Sequence, residues 1–278
     1  MSKARVGAAL MVISLAAFAL NCGVAATAPG IRLDVGSNPD PGTPSNPSAS
    51  SDTFADLQLD SHWSGYVLLP PAYSICGTCQ PDGPEGSWFI QQGISSPSLS
   101  GSSMQFGLGP HSVKYADILW NNKFTKRLAN EKSVPNYHEF TYEVYFYGED
   151  LEKSQALEFD INQFFNSMSF IWGHECRIAG GHEWDTWDNV NQHWVKSGIP
   201  CNPLSNAWNH LVIQVSRTAD DRLQFKSITL NGVTRTVNRF DHPSATTWYG
   251  MTINYQMDGD SKQEPYTVYL DKVSFSYK

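Results

Sequence analysis

The sequence predicts an all-β fold, a jelly-roll sandwich of two antiparallel sheets. Three observations predict it. From residue 53 onward the chain breaks into about a dozen short runs rich in β-branched and aromatic residues. Within the strongest runs, apolar and polar residues alternate with the period of two that a half-buried strand requires. No internal repeat accompanies them, which separates a sandwich from a propeller or solenoid.

In chain order, Ser87–Gln92, Met104–Leu108 and Tyr115–Trp120 are the first candidate strands. Residues 125–132 form a polar, Lys-rich stretch suited to a short helix. Glu139–Tyr147 alternates Phe140, Tyr142, Val144 and Phe146 with polar partners, a clear strand. Asp150–Lys153 suggests a helical turn before Gln155–Gln163. Met168–Arg177, Trp208–Arg217 and Leu223–Leu230 follow. Asn231-Gly232 then reads as a tight hairpin turn, because both residues tolerate positive φ. Trp248–Met257 and Tyr266–Tyr277 complete the set. With 278 residues and 41% hydrophobic content, residues 53–278 suffice for one large sandwich domain.

The preceding residues have other roles. Lys3 and Arg5 lead an apolar stretch, residues 6–20, that is too short to span a bilayer, and Val24-Ala25-Ala26 offers small residues for cleavage. Residues 1–26 are therefore expected to be a signal peptide, and the protein exported, secreted or on the cell surface. Cys22 directly follows the apolar stretch and is a candidate lipid-anchor position. Ala19 and Asn21 occupy places where a lipobox wants Leu and a small residue. Residues 27–52 are rich in Pro, Ser and Gly, a linker composition that cannot bury a core. No other stretch is long and apolar enough for a membrane span.

Formal charge is −8, and loss of the two leader cations lowers it to −10. This balance disfavours nucleic acid and anionic membranes as partners. It also disfavours polyanionic substrates unless cations gather locally, and no dense Lys/Arg run is present. Gly-rich phosphate loops and Gly-x-Ser-x-Gly elbows are absent, which removes NTPase and serine-hydrolase chemistry. Charged residues are few (17%) and aromatics many (13%, with nine Trp), a composition common among extracellular carbohydrate-active β proteins.

Five cysteines occur, and outside Cys22 an even four remain. Cys76 and Cys79 are expected to staple a Pro-rich loop. Cys176 and Cys201 bracket 24 residues and form the second expected disulfide. Between them, thirteen residues hold Trp184, Trp187, Trp194, His182, His193 and three acids. Trp faces stack on sugar rings and polar side chains bond hydroxyls, so Asn162, Trp172, Trp184, Trp187, Trp194 and His182 are candidate ligand contacts. A stapled hairpin whose Trp residues complete a core edge is the alternative. Asp258 and Asp260 in the loop expected before the last strand, and Asp271 within that strand, are candidate ligands for a structural calcium. No other cofactor is implied.

The sharpest signal is Ala156-Leu157-Glu158-Phe159-Asp160-Ile161-Asn162-Gln163. As a strand it sends Leu157, Phe159 and Ile161 to a core and Glu158, Asp160 and Asn162 to the opposite face. Two carboxylates on such a face are costly unless hydrogen-bonded, metal-bound or catalytic. This strand resembles the acidic strand of the concanavalin A-like lectin/glucanase superfamily, whose members are jelly-roll sandwiches. From Ser74 onward the chain also resembles uncharacterised secreted bacterial proteins of that class. The glucanase pattern Glu-x-Asp-x-Glu, or its bulged form, implies Glu158 as nucleophile and Asp160 as its helper. The acid/base position then falls on Asn162 or Gln163, which cannot cycle a proton. The legume-lectin pattern Val-Glu-Phe-Asp implies Glu158 and Asp160 as metal ligands, with His174 as a third and Asn166 in the intervening loop. That pattern also wants a loop Asp, and none lies between Asp160 and Asp185.

Three function classes follow. The first is an exported, lectin-like module that binds a polysaccharide through the acidic strand and the Trp-rich segment. The second is a glycosidase or polysaccharide lyase with Glu158, Asp160 and His174 as catalytic candidates, its acid/base drawn from Glu175, Glu183, Asp185 or His174. The third is a structural surface protein without a ligand.

Overall fold

The structure, a computed structural model, describes residues 52–65, 86–111 and 117–278. The expected signal peptide, most of the expected linker, Cys22 and the expected Cys76–Cys79 staple lie outside the described residues. No helix among them is long and apolar enough to cross a membrane.

Strands account for most of the described chain. They are β1 Asp52–Phe54, β2 Gly86–Ile94, β3 Ser103–His111, β4 Asp117–Lys123, β5 Glu139–Glu149, β6 Ser154–Phe165, β7 Met168–Trp172 and β8 His174–Arg177. The remainder are β9 Glu183–Asp188, β10 His193–Pro200, β11 Trp208–Arg217, β12 Leu223–Leu230, β13 Val233–Asp241, β14 Ser244–Ala245, β15 Gly250–Gly259 and β16 Tyr266–Tyr277. They form two antiparallel sheets of eight described strands each. The first sheet runs β13-β12-β11-β5-β16-β3-β2, with β1 paired to β16. The second runs β10-β9-β8-β6-β15-β4, with β7 beside the far half of β6 and β14 beside β7. This is the all-β jelly-roll sandwich that the alternating runs predict.

The core lies between the sheets. On β5, Phe140, Tyr142, Val144 and Phe146 are buried, and the polar residues between them are partly exposed. From the second sheet, Phe159 meets Tyr142 (ring centroids 6.1 Å), Phe146 (5.5 Å) and Tyr255 (5.3 Å), and Phe106 stands edge-on to Tyr255 at 4.9 Å. Each such aromatic pair adds roughly 0.5–1.5 kcal/mol beyond the burial of its area.

Two differences from the sequence reading matter. Residues 177–194 are not a connecting loop: β9 and β10 make a hairpin that extends the second sheet, in register His193↔Asp188 to Lys196↔Asp185. Four successive residues of β9 are buried, Trp184 toward the core and Trp187 on the opposite face, so no simple alternation marked the strand. The hairpin's end is stapled by the Cys176–Cys201 disulfide, with Cα atoms 5.6 Å apart. The predicted run Met168–Arg177 is interrupted at Gly173, although the pairing register with β6 continues across it.

The sheets are also tied across one edge. Arg239 of β13 donates to the Trp187 carbonyl (2.8 Å) and to Thr186 Oγ1 (3.3 Å) on β9. It also pairs with Asp241 at 3.2 Å, whose Oδ2 accepts from the Asn189 backbone N–H at 2.8 Å.

Candidate functional site

Strand parity and register assemble the site on the face of the second sheet turned away from the first. Glu158, Asp160, Asn162 and Phe164 of β6 share that face because Leu157, Phe159 and Ile161 fill the core. The pairing with β15 brings Gln256 beside Glu158, Asn254 beside Asp160 and Thr252 beside Asn162. Strand β4 adds Leu119, Asn121 and Lys123 to the same three rows. On the other side Glu175 stands opposite Glu158, and Asp185 opposite Glu175.

The row through Asp160 is the most informative. Gly173 lies across from Asp160, and beyond it come Trp187 and its partner Trp194. A side chain at Gly173 would begin 2.8 Å from Trp187 Cβ, 3.2 Å from the tip of the Trp194 ring and 3.4 Å from Asp160 Oδ1. Glycine is thus required here by close approach, and it leaves Asp160 Oδ1 beside the rim of Trp194. The two indoles meet edge to face at 5.3 Å. Trp187 is buried, whereas Trp194 is half-exposed.

Hydrogen bonds order part of this face. Gln256 Nε2 donates to Glu158 Oε1 at 2.6 Å and to Asp258 Oδ1 at 2.9 Å, so one amide bridges two acids. Asn254 Nδ2 donates to Asp160 Oδ2 at 3.1 Å, and Asn162 Nδ2 to Thr252 Oγ1 at 3.0 Å. Among the described residues, two buried acceptors on adjacent rows, Asn162 Oδ1 and Asn121 Oδ1, have no hydrogen-bond partner, and Asp160 Oδ1 has none of good geometry, although the His174 backbone N–H is near enough to lower the Asp160 carboxyl.

The electrostatics follow from burial. Glu158, Glu175 and Asp258 are 3–5% exposed, and loss of hydration raises all three carboxyls well above their usual range. Asp258 presses further on Glu158 and Glu175, and Asp117 on Asp258. Burial likewise lifts Asp160 to about 7, partly offset by the Asn254 amide. At the sheet edge Arg177 neutralises Glu183 and Asp185, at 3.2 and 3.0 Å. Burial still holds the Asp185 carboxyl above its ordinary value.

Several expected contacts lie elsewhere. His174 does not join Glu158 and Asp160: the parity that puts Glu175 on the acidic face sends His174 into the core, fully buried and 5.2 Å from the Phe225 ring. Burial pulls its pKa down to about 4, leaving a neutral imidazole with Nδ1 3.0 Å from the Trp172 carbonyl oxygen. Trp172 and Trp184 are fully buried on that same core side, so their faces are closed to a ligand. His182 is exposed at the turn before β9, outside the rows of the acidic face.

The calcium candidates also separate. Asp258 belongs to strand β15 and joins the acidic face, whereas Asp260 caps a turn by accepting from the Lys262 backbone N–H at 2.8 Å. Asp271 is saturated by donors. Its carboxylate accepts from Ser98 Oγ, the Leu99 and Ser100 backbone N–H groups, Ser100 Oγ and its neighbour Lys272 N–H, at 2.6–3.1 Å. These bonds hold its pKa down against burial and anchor the 98–100 segment. They leave little lone-pair capacity for a cation. No cluster of three or more His, Cys, Asp or Glu residues suited to a metal occurs among the described residues.

Trp248 is the contact that sequence reasoning missed. It is 44% exposed and stands edge-on to Phe164 at 5.7 Å, at the end of the β6 face, with Lys123 Nζ 5.3 Å from its ring centroid. In the sequence it was merely the first residue of a strand. Only the neighbouring position of Phe164 reveals that its ring borders the site.

No family model matches the chain, and no curated protein matches it. Among solved structures, the cellulose-induced protein Cip1 is similar over 81% of this chain and 96% of its own, at 12% identity and a TM-score of 0.45. An endo-β-1,4-glucuronan lyase from the fungus Trichoderma reesei is similar over 72% and 90%, at 10% identity and a TM-score of 0.42. Peanut lectin is similar over 70% and 98%, at 11% identity and a TM-score of 0.38.

Proposed function

We propose that the outer face of the second sheet binds a carbohydrate chain, in the manner of a lectin. The observation that carries this reading is the pair of unpartnered acceptors Asn162 Oδ1 and Asn121 Oδ1, with Asp160 Oδ1 beside them. A buried acceptor without a donor costs about 1–3 kcal/mol, and sugar hydroxyls supply such donors in closely spaced sets. Access supports it: Asn121, Asn254, Lys123 and Trp194 are half-exposed around Asp160 and Asn162. Two indoles at the margins of the face, Trp194 and Trp248, offer apolar ring surface to a pyranose.

A second reading rests on one pairing. Glu158 and Glu175 are register partners on antiparallel strands, which sets their Cβ atoms about 4.5–5.5 Å apart. Retaining glycosidases hold their two carboxyls at about 5–5.5 Å. Hydrolysis would need such a pair to share one proton, with Glu175 protonated as acid/base and Glu158 ionised as nucleophile. Glu175 would then supply the proton donor missing from the β6 pattern. Burial holds both acids toward their protonated forms, which disfavours an ionised nucleophile, so binding is the first reading.

A glycan panel that scores binding and product release together tests both, with Glu158→Gln and Asn162→Ala as controls. Binding that Asn162→Ala weakens, without product, supports the lectin-like reading. Product lost in Glu158→Gln makes the protein an enzyme. Silence on a broad panel refutes both.

A further inference from the structure

The two sheets do not close on each other all along their margins. Strands β9 and β10 end the second sheet, β12 and β13 end the first, and between them lies a cleft of about 250 Å³. Both margins are irregular beside it. On β10, Lys196 pairs with Asp185 and Ile199 with Trp184, so Ser197 and Gly198 are extra residues. On β13, Arg239 pairs with Phe225 and Thr236 with Ser227, which leaves one extra residue there. Such irregularities bend the strand that carries them, and bends on facing margins leave room between the sheets. The inner end of the cleft is apolar: Trp184, Ile228 and Ile199 are buried and Leu230 is half-buried. Val233 and Arg235, both exposed, form its mouth.

Arg235 has an unusual place for an edge-strand cation. Its register partner is the core residue Ile228, so its side chain leaves β13 on the face that lines the gap. Arg239 shares that face and is taken up by the Trp187 carbonyl, Thr186 and Asp241. Arg235, by contrast, has no hydrogen-bond or ion-pair partner among the described residues. No acid is among the residues that line the cleft. Glu183, which register puts beside Pro200, is engaged by Arg177 at 3.2 Å and by the Gly198 N–H at 2.8 Å.

We propose that this cleft binds a small carboxylate with an apolar body, an aryl or short alkyl acid. The body lies among Ile199, Ile228 and Leu230 against Trp184, and the carboxylate meets the Arg235 guanidinium at the mouth. The size fits. A cavity of about 150 Å³ accepts benzene, so this cleft has room for a ring with a short tail or a chain of similar bulk. The charge fits as well, because a guanidinium takes a carboxylate through two parallel N–H bonds. Apolar contact supplies the affinity and one charged group fixes the orientation, the division of labour usual in small-molecule sites. The cleft lies between the sheets, so the proposal does not depend on the carbohydrate reading of the outer face.

The test titrates the full-length protein by calorimetry with benzoate, cinnamate and octanoate. Each acid is run beside its primary amide, which keeps the body and removes the charge. At least one acid should bind at least tenfold tighter than its amide and should raise Tm more. Whether the aryl acids or octanoate do so tells which body the cleft takes. Arg235→Gln should lower the affinity of that acid at least fivefold, toward that of its amide. Val233→Trp should plug the mouth and weaken acid and amide alike. Both positions are exposed, and an unchanged Tm of the free variants confirms that the fold is kept. Failure of all three acids to bind overturns the proposal, as does a Val233→Trp variant that binds like wild type. Equal affinity for acid and amide, or full affinity in Arg235→Gln, overturns it too and leaves Arg235 as a charge that guards the sheet edge.

Discussion

Glu158 and Glu175 face each other across neighbouring antiparallel strands, both withdrawn from solvent and both held toward their protonated forms. Gln256 fixes Glu158 from the other side at 2.6 Å, so the pair cannot separate by rotating away freely. Protonation of this face is therefore part of its folded structure.

The stability of the protein should fall as pH rises from about 4 to about 8. Asp160, Glu158, Glu175 and Asp258 bind protons more tightly folded than unfolded. Their contribution is present at low pH and is lost as pH climbs through the folded pKa, about 7 for Asp160. His174 opposes this. It is held down to about 4, and its contribution is lost as pH falls from 6.5 toward that value. Four carboxyls outweigh one imidazole, so Tm should be highest near pH 4 and drop by roughly 5–10 °C by pH 8. Calorimetry across that range checks it, and a Tm that rises with pH would contradict the arrangement.

Glu158→Gln removes the charge while keeping the shape. The variant should flatten the pH dependence of Tm and should be at least as stable as wild type at pH 8, because an amide is cheaper to bury than a carboxylate. A variant less stable than wild type at pH 8 would show that Glu158 is stabilised by ionisation.

Gly173→Ala should cost about 1–3 kcal/mol, the range of an overpacked site, since its Cβ would meet Trp187 Cβ at 2.8 Å. The same change should shift the fluorescence of Trp194. Urea denaturation with emission spectra separates the two effects.

Asp271→Asn should release the 98–100 segment, because five donors converge on a carboxylate that an amide replaces on one side only. We expect a loss of about 2–4 kcal/mol, several charge-assisted hydrogen bonds being weakened at once. Faster proteolysis near residue 99, with the rest of the domain intact, is the accompanying readout.

Reduction of Cys176–Cys201, or Cys201→Ser, should cost about 3 kcal/mol for a loop of this size. Loss of protection in β9–β10 amide exchange should exceed that in β5.

The sandwich was legible because its long strands alternate strongly. Trp208–Arg217, Leu223–Leu230 and Tyr266–Tyr277 begin and end where the alternation does. The β9–β10 hairpin was not, since a Trp-rich polar segment reads equally as an exposed binding loop or a buried edge. The acidic face was legible from β6 alone through parity. Its neighbours were not, because register decides which residue of β8 or β15 stands beside Glu158, and no single strand encodes its register. His174 shows the limit most clearly. Its parity with Trp172 was readable, but only the pairing of Glu158 with Glu175 reveals that this shared side is the core.

Arg239 gives the molecule a further property. It stands on β13, the margin of the first sheet, yet it grips the backbone carbonyl of Trp187, against which Trp194 rests beside Asp160. The indole wall of the proposed site is thus positioned from the opposite layer. Substitutions on β13 that touch no ligand can tune affinity by shifting that wall. Selection therefore has a remote handle on recognition that leaves the contacting side chains unchanged.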